Sequence, residues 1–163
     1  MDDKLEVKID QMKEKQTLTK SRLSHVESEV IRNSKRVAIT AHPSSEGTIS
    51  NTRMKFDDVK YSVGITNLSS YKTTGKFTVE HEGLYLISAS VMSLTNNALY
   101  YIRLNGNDIS LTHIGQHKEQ HAHTGAVTLT RKLNRNDQVW LYAAGSWYLF
   151  HDVYSNLSII KIK

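Results

Sequence analysis

Two periodicities divide the chain. Leu5, Ile9, Met12, Gln16, Thr19, Leu23, Val26, Val30 and Asn33 recur at alternating spacings of four and three, and six of these nine positions are apolar. This is the heptad register of a coiled-coil seam, and it runs unbroken for four heptads, which favours a coil over a lone amphipathic helix packed on a domain. The flanking charges weaken such a coil. In a parallel arrangement Lys8 meets Lys13 of a neighbour and Lys15 meets Lys20, both repulsive, while Arg22 and Glu27 attract. Gln16 and Thr19 place polar groups in mid-seam, a device that fixes register at a cost in stability. Most of the association energy must therefore come from the rest of the chain.

After the joint at Asn33 to Arg36 the period changes to two. In Gly75 to Val91, the stretch that organises the remainder, Tyr85, Ile87, Ala89 and Val91 lie on one face and Leu84, Leu86, Ser88 and Ser90 on the other, the alternation of a half-buried strand. Phe77 and Val79 give a shorter strand before it, with Glu82-Gly83 as the turn. His42 to Gly47 reads as a loop from its proline, serines and glycine. Strands are predicted near 37–41, 54–60, 75–79, 84–93, 98–104, 108–114, 123–132, 137–143 and 153–162. Asn105-Gly106 is a strong hairpin signal and Arg135-Asn136-Asp137 a second turn. No helix of useful length is predicted after Arg36. The pattern divides the chain into a coiled-coil stalk, residues 1–35, and a globular head, residues 36–163, in which many short strands imply a two-sheet sandwich.

Composition narrows the picture. The 163 residues suffice for one core and a modest appendage, and 39% hydrophobic with 23% charged residues fits a globular protein. No apolar run approaches the roughly 18 residues of a membrane span. The absence of cysteine removes disulfides, thiol catalysis and thiolate metal sites together. The charged start of the chain lacks the apolar core of a signal peptide. Sequons stand at Asn67 and Asn156, the second in a predicted strand and so unsuited to a glycan.

Gly75-Lys76-Phe77-Thr78 followed by Gly83-Leu84-Tyr85 resembles the central signature of the complement component 1q (C1q) globular-head family. Val37-Ala38-Ile39-Thr40-Ala41, Phe56-Asp57-Asp58-Val59 and Tyr71 upstream, and Arg103-Leu104-Asn105-Gly106, Thr124-Gly125-Ala126-Val127 and Asp137-Gln138-Val139-Trp140-Leu141 downstream, match in the family's order. The chain departs from the family pattern at Glu80, often proline, at Asn136, often glycine, and at Tyr154-Ser155-Asn156-Leu157, where Phe-Ser-Gly-Phe is usual. Asn tolerates the left-handed conformation, so the change at Asn136 is mild. The resemblance implies the jelly roll shared with tumour necrosis factor ligands: about ten strands in two antiparallel sheets, here behind an N-terminal helical coiled coil. It also implies a homotrimer, with the heptads in place of a collagen stalk, and secretion.

Chemistry is sparse. No nucleophile elbow, phosphate-binding loop or metalloprotease pair occurs, so no enzyme and no cofactor are expected. The net charge of +5 is dispersed without aromatic-interleaved basic motifs, which points to acidic surfaces rather than nucleic acid. His121 and His123, in the run from His117, could chelate a metal across a trimer axis, but two imidazoles are a weak signal beside a plain polar loop, and no metal site is assigned. Calcium, bound by some members of the family, would have Asp57, Asp58, Asp108 and Asp152 as unranked candidates. Gly145 to Asp152 is the most aromatic stretch, read as a loop between the last two strands. Two readings stand: Trp147 or Phe150 packs on the core or a neighbour, or the loop is a sugar platform with Trp147 and Tyr148 as stacking faces and His151 and Asp152 as polar readers. The expected ligand-binding residues are thus Trp147, Tyr148, His151 and Asp152. The resemblance implies a lectin-like recognition protein of innate immunity that binds anionic, for example sialylated, or microbial glycans. The alternatives are a trimeric ligand of a cell-surface receptor and a secreted metal- or mineral-binding protein.

Overall fold

A computed structural model of the chain describes residues 3–115 and 121–163. It divides into two units, Met1–Lys35 and Arg36–Lys163. The first holds a single helix, α1 (Asp3–Ser34), with no buried residue. Its apolar seam residues Leu5, Met12, Leu23, Val26 and Val30 are all exposed.

The described residues of the second unit form a sandwich of ten strands in two antiparallel sheets: β1 (Ala38–His42), β2 (Gly47–Arg53), β3 (Asp58–Val63), β4 (Phe77–Thr78), β5 (Gly83–Ser93), β6 (Ala98–Leu104), β7 (Asn107–Ile114), β8 (His123–Leu133), β9 (Gln138–Leu149) and β10 (Asn156–Lys161). One sheet runs β3-β1-β10-β5-β8 and the other β2-β9-β6-β7, with β4 beside β9. The long alternating strand foreseen in the sequence is β5, and the face formed by Tyr85, Ile87, Ala89 and Val91 is fully buried. It meets Ile39 and Ile159 of its own sheet and Tyr100, Ile102, Leu141 and Ala143 of the other in one core. Tyr100 keeps its polar end satisfied there by donating to the Gly125 carbonyl at 3.0 Å, and burial pushes its phenol up to about 12.

Five elements differ from expectation, the first being β2, a strand over Gly47–Arg53 where none was predicted. A helix does follow Arg36: α2 (Leu68–Thr74), seven residues that bury Tyr71 and close with the Gly75 N–H donating to the Tyr71 carbonyl at 2.7 Å. Residues 54–57 are not strand but a crossing between β2 and β3, in which Met54 and Phe56 are buried. The last strand begins at Asn156, after a short 3-10 turn, Asp152–Tyr154. Finally, β9 continues six residues past its predicted end at Ala143, to Leu149.

The departures from the family pattern have physical roles. Glu80 accepts hydrogen bonds from the Thr66 N–H at 2.8 Å, the Thr66 hydroxyl at 2.7 Å and the Asn67 N–H at 3.1 Å, tying the entry of α2 to the strand region. Burial pushes this carboxyl up, but those three donors outweigh it and hold it below its ordinary value. Asn136 takes the left-handed conformation (φ 72°), as its turn requires. Asn156 pairs with Ser90 at the start of β10, a regular ladder position.

Candidate functional site

The segment read as a loop is a strand with a bulge. Between β2 and β9 the register shifts around Asn51, and Gly145 sits opposite with φ 74°, a conformation glycine adopts at no steric cost. Asn51, itself at φ 41°, locks the irregularity by accepting from the Gly145 N–H through its side-chain oxygen and from the Tyr142 hydroxyl through its carbonyl, both at 2.9 Å. Small residues here absorb the extra backbone instead of releasing a loop. Trp147 is consequently back in the ladder opposite Ile49 and points inward, 2% exposed, with its indole N–H donating to the Ala144 carbonyl at 3.0 Å. The expectation that Trp147 lies outside the strand pattern and offers an open stacking face is corrected: the ring is part of the core.

The other three expected residues stand at one end of the sandwich. Tyr148 faces outward, half-buried, in edge contact with Phe150 (5.2 Å between ring centres), which in turn contacts Tyr154 at 5.8 Å. Burial, and then Glu46 as hydrogen-bond partner and charge, raise the Tyr148 phenol. His151 Nδ1 also meets Glu46, at 2.8 Å, so one carboxylate serves both. Asp152 turns away from that pair: its Oδ1 lies 3.4 Å from His42 Nδ1 and 3.8 Å from Lys60 Nζ, and Lys60 pairs with Asp58 at 2.7 Å. With Glu46, Asp58 and Asp152 around one lysine and two histidines, this end leans acidic and suits an anion poorly.

A second surface was missed at the sequence level. On the outward face of β9, Arg53 of β2 pairs opposite Tyr142 and Arg103 of β6 opposite Trp140. Cations and rings interleave: the Arg103 guanidinium lies 3.6 Å from the Tyr142 ring centre, Lys76 Nζ 4.7 Å and Arg53 5.8 Å from that of Trp140. Trp140 is only 8% exposed although its strand neighbours Val139 and Leu141 take the core positions, because these cations and their stems cover it. The result is a groove of about 340 Å³ lined by Arg53, Lys55 and Arg103 with Thr52, Trp140 and Tyr142, and by no carboxylate. The one signal that could have found it is a tryptophan at an outward position of a strand whose other face fills the core.

Of the histidine run, His117 lies outside the described residues, and His123 opens β8. The aspartates named for calcium are otherwise engaged: Asp57 accepts from the Ser44 N–H at 3.1 Å and Asp108 from Arg103 Nε at 2.6 Å, while Asp58 and Asp152 share Lys60. Among the described residues no three His, Asp or Glu side chains gather as a metal ion would require.

The family profile that matches this chain is that of the C1q domain, over residues 37–159. The chain belongs to the C1q family. Solved structures similar to the C1q head include the globular domain of zebrafish complement 1qA (12% identity, covering 78% of this chain and 98% of that one, TM-score 0.62). The Eiger tumour necrosis factor of S. frugiperda is similar at 13% identity, covering 79% and 94%, with TM-score 0.63. Murine APRIL is similar at 11% identity, covering 78% and 100%, with TM-score 0.65. At these identities the likeness carries the jelly-roll fold. No curated protein matches the sequence. C1q and related jelly-roll domains are generally trimeric recognition or ligand modules, and C1q-domain proteins are typically secreted. No described helix is long and apolar enough to cross a membrane.

Proposed function

We propose that the chain is a secreted homotrimeric recognition protein whose first 35 residues form a parallel coiled-coil stalk and whose C1q head binds anionic or microbial glycans, a lectin-like role in innate defence. It works by binding, without catalysis or cofactor. The observation that carries the reading is helix α1: 32 residues of heptad pattern with none buried, joined to a domain whose relatives are generally trimeric. Two further copies cover such a seam, and three subunits at +5 carry +15, so that modest single-site affinities combine into strong attachment to an acidic surface.

The test has two parts. Light scattering should find a trimer for the intact chain and also for residues 36–163 alone, since polar Gln16 and Thr19 and the repelling lysines weaken the coil. A monomeric head beside a trimeric isolated helix would reverse the assignment of where the association energy lies. A glycan array probed with the intact protein should show acidic glycans bound, with binding that falls as salt is raised. Salt-independent binding to neutral sugars would overturn the anionic reading. Capture of a receptor ectodomain insensitive to free sugars would move the chain to the cytokine-like class.

A further inference from the structure

We infer that the groove on the outward face of β9, bounded by Arg53, Lys55 and Arg103, is the site that takes the carboxylate or sulfate of an acidic saccharide. The inference rests on the glycan-binding reading above and gives it a place, away from the aromatic end of the sandwich.

Charge is the first argument. Arg53, Lys55, Lys76 and Arg103 gather within one face of one sheet, and the carboxylate that reaches into this group, Asp108, stands outside the lining and engages Arg103 through Nε alone. Lys60, by contrast, sits beside Asp58 and Asp152. A concave, one-signed patch concentrates field lines and raises the local concentration of anions.

Order is the second. Long cationic side chains usually lose rotamer freedom when they bind, and that cost reduces affinity. Here it has largely been met in the fold. Arg103 is stacked on Tyr142, whose hydroxyl is pinned to the Asn51 carbonyl, and Lys76 is held over Trp140 while donating to the Gln138 side chain at 3.0 Å. The rings thus position the cations; they need not themselves stack on sugar.

Arg53 is the third. Its Nη1 donates to the Thr74 carbonyl at 2.7 Å, and its Nε is buried with no hydrogen-bond partner among the described residues. A buried donor without an acceptor is costly, and a guanidinium without a counter-charge more so. With Nη1 held by Thr74, the guanidinium is a fixed cation in the groove wall, and a small turn of the side chain would bring its Nε–Nη2 edge, the fork that pairs two oxygens of a carboxylate, sulfate or phosphate, to a bound anion. Lys55, exposed at the rim, adds another cation, and Thr52 and Asn51 line the same groove with polar side chains of the kind that meet sugar hydroxyls. The volume, about 340 Å³, falls in the range of small-ligand sites.

The experiment is calorimetric titration of the intact protein with a heparin-derived hexasaccharide, with sialyllactose and with lactose, repeated with inorganic sulfate as competitor. The parent should bind one or both acidic probes and not lactose. Lys55→Ala should weaken binding roughly threefold and Arg53→Gln roughly tenfold or more, whereas Asp108→Asn, which removes the opposing charge and releases Arg103, should tighten it. Tyr148→Ala, at the far cluster, should leave it unchanged. Each variant is checked for the parent's assembly and melting temperature; should Arg53→Gln fail that check, Lys55→Glu, at an exposed rim position, decides in its place. If the parent binds acidic probes while Lys55→Glu and Arg53→Gln bind equally well, the site is elsewhere and the glycan reading survives. Failure of the parent to bind either acidic probe overturns both. Competition by inorganic sulfate equal to that of the hexasaccharide, mole for mole, would reduce the groove to a simple anion site and refute the saccharide assignment.

Discussion

Truncation of Trp147 separates a structural ring from a ligand platform more sharply than any other change. In the folded head its indole is 2% exposed, belongs to the core shared by both sheets, and donates to the Ala144 carbonyl at 3.0 Å. A buried tryptophan removes on the order of 150 to 250 Å² from water, about 4 to 6 kcal/mol at 25 cal/mol/Å², and measured tryptophan truncations in cores cost about 3 to 5 kcal/mol. Loss of the N–H leaves the Ala144 carbonyl short of a donor, but that residue is half-exposed and water replaces the bond, so the packing loss dominates. For a head of this size 1 kcal/mol moves the melting temperature by roughly 3 to 4 °C, so Trp147→Ala should melt roughly 10 to 18 °C below the parent. The assay is calorimetry at fixed protomer concentration, because association makes the transition concentration-dependent. Trp147→Phe, which keeps most of the apolar volume, should lose less than half as much. A Trp147→Ala protein that melts within 2 °C of the parent yet loses glycan binding would refute the core assignment.

Two further outcomes follow from the fold. Glu80 has a folded-state carboxyl held below its ordinary value of 4.5, so its contribution is full above that value and fades as pH falls through the lowered one; in urea unfolding the parent should lose more stability between pH 7 and pH 3 than Glu80→Gln, whose deficit at pH 7 should be about 1 to 2 kcal/mol. Gly75→Ala should cost roughly 2 kcal/mol or more in the same assay, since φ is 68° there and the new methyl would lie 2.9 Å from the Met54 carbonyl oxygen.

Residues that alternate cleanly proved legible. The strand from Gly83 to Ser93 has an apolar side that faces the core and a mixed side that does not, and period two is all that its assignment requires. The strand Gly47–Arg53 carries Ile49 as its one large apolar residue, so a polar edge strand reads like a continuation of the preceding loop. Helix Leu68–Thr74 is too short for a helical period and is rich in Ser and Thr, which favour turns; tertiary contact through Tyr71 and the Glu80 tie hold it. Gly145-Ser146 reads equally well as the entry to a loop, because a bulge and a loop entry use the same small residues and differ in what lies across the ladder, here Asn51. The groove draws Arg53, Lys76, Arg103 and Trp140 from four separate strands or their flanks, so no local spacing announces it. Tyr148 and His151 do meet, through Glu46, a residue about a hundred positions away in the chain.

The position of β10 between β1 and β5 sets the order in which this head can be made. A ribosome delivers β1 and β5 long before Asn156–Lys161 emerges, and until then each has an open edge where β10 belongs. Pairing of Ile39 with Ile159 spans nearly the whole head, a loop closure of the slow, non-local kind. Closure of this sheet therefore waits for Asn156–Lys161, and a nascent chain stalled before Asn156 presents two open strand edges to its neighbours on the same messenger. Polysome-bound fragments of this protein are where a chaperone would find its work.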